Sequence, residues 1–286
     1  MPVEDMRAQT EAFERLFGVG VQAWRASGET VVQRTVAEAR AGRFAVDLVE
    51  STGPDLEALR GEGVLAPLTI PSAGRLHPDA RPAHRAYVGT RFLVEALAFN
   101  TALVARDELP RRWEDLRNSR WRGKLGITND AAPWLAALAT ALGGESGLQL
   151  VREIFAVNGV SVRRGHSLLA NLVAAGEVPL ALNVYDYRAE QLKRAGAPVD
   201  TIYLDPTPAN IAGIGVAGRA AHPHAAQLFM DFALNEGLSI LRGRGFRTTE
   251  GAESLPAGIR IAMNDNADVV ANNALWQQRL RAVIGQ

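Results

Sequence analysis

The sequence predicts an α/β protein of two domains. Three observations carry this. The chain has 286 residues and 47% hydrophobic content, enough to bury one or two sizeable cores. Short apolar runs of strand length alternate with amphipathic stretches of helix length, the pattern of helices packed on a parallel sheet. No segment repeats, and none is of low complexity.

The elements follow in order. Met6 to Phe17 reads as an amphipathic helix stopped by Gly18. Val19 to Trp24 reads as a short strand. Ser27 caps a helix that runs to about Ala41. Phe44 to Val49 is the next strand. Ser51, Thr52, Gly53 and Pro54 then open a helix over Asp55 to Arg60. Leu65 to Ala86, rich in Pro and His, reads as loop. Strands are predicted at 91–99, 124–127, 160–163, 179–183, 199–204 and 211–216. Helices are predicted at 133–142, 147–156, 167–175, 186–195 and 222–235, with a helical C-terminal part over 265–283.

Composition removes several function classes. Lys and Arg number 31 against 31 Asp and Glu, so no basic face is signalled and no nucleic-acid partner is expected. There is no Cys, which excludes disulfides, thiolate nucleophiles and Cys-ligated metals. No apolar run approaches the roughly 20 residues of a membrane span, so no direct membrane insertion is expected. Met1 to Asp5 lacks the basic and apolar regions of a signal peptide.

Several segments carry a family resemblance. Residues 109–116 read LPRRWEDL, and 121–127 read WRGKLGI, just after Asn100 and Thr101. Residues 165–177 read GHSLLANLVAAGE, 180–187 read LALNVYDY, and 222–234 read HPHAAQLFMDFAL. Together these resemble the periplasmic solute-binding proteins of ABC importers, of the ferric-iron type. The resemblance covers nearly the whole chain. It implies a type II periplasmic-binding fold with two α/β domains, two crossover strands and a ligand cleft between the domains. Domain I would hold residues 1–93 and 210–286, and domain II residues 94–209. It further implies capture of a small anionic or polar organic solute or of ferric iron, with no catalysis. It implies periplasmic or lipid-anchored location, an ABC permease as partner and a monomeric state. No cofactor is required, with Fe3+ entering only as a transported ligand. The sequence departs from the family by beginning at the helix that the family precedes with a strand and a ligand loop.

Candidate ligand residues sit in strand-to-helix turns, where free N–H groups and the positive end of a helix favour an anion. They are Ser27 and Gly28, Thr52 and Gly53, Asp130, and His166 with Ser167. Each is equally an ordinary cap when taken singly. Tyr185 and Tyr187 are the sharpest signal, because relatives that bind ferric iron use adjacent tyrosines here and a phenolate suits a trivalent ion. Within one regular helix the two would point about 200° apart. Only a turn would bring both to one metal. An organic or oxyanion ligand therefore stands ahead of iron. His222 and His224 read as an exposed helix start, Arg163 and Arg164 as a solvated pair, and Trp134 as core.

Two other classes stay open, an enzyme and a cytosolic ligand-sensing domain. No nucleophile elbow, phosphate-binding loop or metalloprotease motif is present, and no helix-turn-helix is evident at either end. The resemblance makes a first prediction: the crossovers near residues 91–99 and 204–214 act as hinges. Small-angle scattering should show compaction on ligand binding, and an unchanged radius at saturation would count against a clamp.

Overall fold

The computed structural model describes residues 1–70, 74–251 and 255–285. Residues 71–73 of the expected loop lie outside these. The chain forms two compact units. One holds Met1–Phe92 and Ile211–Ser254, and the other Leu93–Asn210 and Leu255–Gln286.

The first unit begins with α1 (Val3–Phe17), ended by Gly18 in the left-handed region at φ 68°. Phe13 faces inward and meets Phe229 and Phe232 of α8 (Pro223–Ala233) at ring-centroid distances of 4.9 and 5.5 Å. The buried Asp5 pairs with Arg244, just beyond α9 (Glu236–Gly243), a helix the sequence reading did not separate. The strand expected at 19–24 does not form. Those residues are largely exposed, with Trp24 lying under Arg34 at 4.3 Å, so no apolar face is buried to hold a ladder.

Helix α2 (Gly28–Arg40) starts where expected. The following strand, β1, is Leu48–Thr52, later than the expected 44–49. Phe44 remains outside it, beneath the Arg219 guanidinium at 5.0 Å. Ser51 and Thr52 end the strand, and α3 (Gly53–Gly61) follows at once. Strand β1 runs antiparallel to β7 (Thr207–Val216), not parallel as predicted. Next to β7 lies the start of β2 (Val88–Asn100), which also pairs with β8 (Arg247–Thr248). Gly213 permits this approach. A Cβ there would meet the Val88 carbonyl oxygen head-on.

In the second unit the sheet order is β6–β2–β5–β3–β4, from β6 (Val199–Ile202), β5 (Leu180–Tyr185), β3 (Leu125–Thr128) and β4 (Ser161–Arg163). Here β3 is parallel to β4 and β5, while β2 is antiparallel to β5 and β6. One face carries α4 (Ala132–Ala141) and α5 (Glu145–Asn158), with Trp113, Leu116, Trp121 and Trp134 all buried. The Trp113 indole donates to the Pro206 carbonyl at 2.8 Å, so this buried ring keeps its one polar atom satisfied. The other face carries α6 (His166–Ala174) and α7 (Asp186–Arg194).

The C-terminal residues differ from the expected division. They add β9 (Ile261–Met263), parallel to the first residues of β7, then α10 (Asn266–Ala271) and α11 (Asn273–Ile284). Trp276, Leu280 and Val283 recur at helical spacing on α11 and bury themselves with α4 and α5. Helix α4 is apolar nearly all round and needs that cover. Residues 255–286 therefore belong with the second unit, although 210–286 were assigned as a block to the first domain. No helix among the described residues is long and apolar enough to cross a membrane.

This packing predicts that Trp276→Ala costs roughly 3–5 kcal/mol, read by urea unfolding. Hydrogen exchange should place the lost protection in α4 and α5. Loss confined to α8 and α9 would return α11 to the first unit.

Candidate functional site

In the first unit the predicted turns gather around one carboxylate. Ser27 caps α2 and accepts from the Thr30 N–H at 3.3 Å. Gly28 is the first helical residue, and a Cβ there would overlap Asp55 Oδ2. Ser51 and Thr52 each donate their hydroxyl to that same Oδ2, at 2.5 and 2.7 Å. Thr52 is thus the N-cap of α3 by position, with its side chain turned to Asp55 instead of the helix N–H groups. Gly53 is buried at the start of α3. Asp55 was read only as a helix residue. The spacing of Thr52 and Asp55, an acid three residues after a Thr cap, is the signal that would have found it.

The second unit brings another group together at the ends of β3, β4 and β5. Asp130 follows β3 and keeps 59% of its side chain exposed. Asn129 holds the neighbouring turn: its N–H donates to the Arg163 carbonyl at 2.8 Å, and its side-chain oxygen accepts from the Gly165 N–H at 3.2 Å. That turn delivers His166 as the first residue of α6, with Ser167 half-buried behind it. His166 Nδ1 lies 2.8 Å from the Asn183 carbonyl oxygen. A carbonyl only accepts, so Nδ1 carries the proton and Nε2 keeps its lone pair. Nε2 sits 4.0 Å from Asp130 Oδ1. Burial lowers the His166 pKa, against the pull of Asp130 and the Asn183 carbonyl, and keeps the imidazole neutral near pH 7.

Tyr185 stacks on His166, with ring centroids 3.7 Å apart and planes within 16°. Tyr187 lies 6.0 Å beyond Tyr185 at 19°. The divergence expected within a single helix does not arise. Tyr185 ends β5 in an extended conformation, φ −62° and ψ 122°, and α7 starts one residue later. The three rings form a near-parallel stack, in which Tyr185 is half-buried and Tyr187 is 6% exposed.

Beneath the stack is a polar network the sequence reading missed. Asn183, wholly buried, accepts from the Thr128 N–H at 3.0 Å and donates to the Thr128 hydroxyl at 2.8 Å. Its side chain also hydrogen-bonds Glu95, which faces Tyr185 across the β2–β5 ladder. Glu95 Oε2 has no hydrogen-bond partner among the described residues. Burial pushes the Glu95 carboxyl well above the usual range, Asp130 adds to this, and Asn183 opposes it. The visible signal was a lone acid inside the apolar run FLVEALAF.

The remaining candidates lie elsewhere. Trp134 is core. His222 is a surface residue whose N–H and ring meet Asp47 at 2.8 and 3.1 Å. Arg163 turns its guanidinium to the Val162 carbonyl at 3.3 Å, and Arg164 is exposed. Among the described residues no three His, Cys, Asp or Glu side chains converge as a metal site.

Residues 49–283 match the family model described as bacterial extracellular solute-binding protein. The chain belongs to this family. The solute-binding protein is 23% identical over 269 residues to an Fe(3+)-binding periplasmic protein of Serratia marcescens, spanning 91% of this chain and 77% of the relative. Its fold matches iron-bound HitA from Pseudomonas aeruginosa with a TM-score of 0.80 at 20% identity, over 99% and 96% of the two chains. It matches AfuA from Actinobacillus pleuropneumoniae, solved with fructose-6-phosphate, with a TM-score of 0.82 at 16% identity, over 100% and 96%. The solute-binding protein thus has the type II periplasmic-binding fold.

The buried acid makes a pH prediction. Glu95 stays protonated when folded and ionises at an ordinary value when unfolded, so the wild type loses stability as pH rises above the carboxylate range. Glu95→Gln should be more stable than wild type at pH 8 and equal to it near pH 4, by thermal unfolding. A gap that is the same at both pH values would show that folding does not raise the Glu95 pKa.

Proposed function

We propose that this chain is the substrate-binding component of an ABC importer, working in the periplasm with a membrane permease and capturing a small polar organic solute without chemical change. The observation that carries the site is the His166–Tyr185 stack, a partly buried aromatic shelf with a neutral imidazole and an exposed carboxylate at its edge. A shelf of this kind orients a small solute by its apolar faces and a few polar atoms. Asp130, His166, Ser167 and Tyr185 are its proposed ligand residues in the second unit. Ser27, Gly28, Thr52 and Gly53 are those of the first.

Ferric iron is the second reading, favoured by the near-parallel Tyr185 and Tyr187 phenols and by the Serratia relative's name. The burial of Tyr187 sets it behind the first, because the phenol would have to emerge to reach an ion.

A thermal-shift screen of small solutes tests the reading. A ligand that binds only the folded chain adds about 2.7 kcal/mol of stability at a hundredfold excess over its Kd. Tyr185→Phe should weaken its binding, and Tyr185→Ala should weaken it more. Tyr187→Phe separates the readings: near-silent for an organic solute, a large loss with loss of a visible charge-transfer band for iron. No shift with any solute, or shifts indifferent to Tyr185→Ala, would sink the proposal.

A further inference from the structure

The proposed ligand residues share one chemical character, and it is not that of an anion site. In the first unit the Ser51 and Thr52 protons are both given to Asp55 Oδ2, so what these hydroxyls still offer is lone pairs. That carboxylate abuts Gly28, so it lies at the positive ends of both α2 and α3. An anion arriving there would find its place taken.

The second unit repeats the pattern. Helix α7 opens with the buried Asp186, which accepts the Tyr203 hydroxyl at 3.0 Å. The first residue of α6, His166, has Asp130 at its Nε2 edge. The His166 N–H that would greet an anion is turned inward to the Asn183 carbonyl. What remains beside that helix start is the Nε2 lone pair of the mostly buried imidazole and the exposed Asp130 carboxylate. An independent observation lies just below. Glu95 is 4% exposed, faces Tyr185 across the ladder and has an Oε2 without a partner among the described residues. That second carboxyl group, neutral in the fold, adds no charge of its own, so the exposed Asp130 carboxylate sets the sign of the charge that is preferred.

From these residues we infer that the solute carries an ammonium or guanidinium group, which donates to Asp130 and to the Nε2 lone pair of His166 at the edge of the stack. An N–H-rich cation supplies donors for both acceptors at once, and the carboxylate neutralises its charge. This rests on the solute-binding reading above and narrows it to organic cations, including those that also bear a carboxylate.

Calorimetry and thermal shift on the intact chain decide the matter. The probes are 1,4-diaminobutane, spermidine and arginine, set against succinate, inorganic phosphate and ferric citrate. At least one ammonium probe should bind saturably, while succinate, the diacid of matching length, should not. Asp130→Asn and Tyr185→Ala should each weaken that binding roughly tenfold. Tyr185→Phe should weaken it by no more than about threefold, since the ring that supports His166 is kept. Asp130 is exposed, so its variant should unfold at the wild-type temperature. Binding of succinate or phosphate through Tyr185 would overturn the charge assignment and leave the solute-binding reading standing. Silence from all three ammonium probes, or an Asp130→Asn chain that binds them unchanged, would also overturn it.

Discussion

The site in the second unit hangs on Asn183. It sits inside β5, fully buried, and every polar atom of its side chain is engaged: its oxygen with the Thr128 N–H, its amide with the Thr128 hydroxyl and with Glu95. These bonds fasten β5 to β3 on one side and to β2 on the other. Its backbone carbonyl then reaches outward and takes the His166 proton. One residue therefore ties three strands together and selects the tautomer of the His166 ring. Buried amide networks have this leverage because each unmade bond costs about 1–3 kcal/mol, so the arrangement is held as a whole.

The helix starts show how local chain chemistry sets ligand chemistry. An unoccupied N-terminus favours an anion, since its N–H groups and dipole point outward together. Here Asp55 and Asp186 sit at such ends, and Ser51, Thr52 and Tyr203 give them their protons. Carboxylates in these places stabilise the helices by about 0.3–1 kcal/mol each and remove the anion preference at the same time. Stability and selectivity are set by the same atoms.

Much of the fold was legible in the sequence because burial and period coincide. The helix at 133–142 is apolar where the structure buries it, and so are the strands at 91–99 and 179–183 apart from Arg91, Glu95 and Asn183. Legibility failed where apolar residues are not buried. Residues 19–24 look like a strand, yet Trp24 lies on the surface under Arg34. It failed again where contacts are distant in sequence. Nothing local says that α11 covers α4, so the C-terminal residues were assigned by position in the chain. The candidate site was half legible: His166, Asp130 and Tyr185 were singled out and lie together in the structure, while Glu95 and Asn183 were passed over as strand. Glu95 stood out as a lone acid in an apolar run, whereas Asn183 declares itself only through its partners on other strands.

The tyrosine pair shows how narrow the margin between readings is. Two residues apart in a helix, phenols diverge; across a strand end and a helix start, they stack. The difference is the conformation of Tyr185 alone, extended instead of helical. It follows from the sheet, because the ladder with β2 extends to the Glu95–Tyr185 pair and holds that residue in the strand. The ladder thus sets where the helix begins, the helix start sets how Tyr187 lies under Tyr185, and the stack that results supports the ring of His166. A shift of the β2–β5 register by one residue would turn Tyr185 to the other face of the sheet and dissolve the shelf.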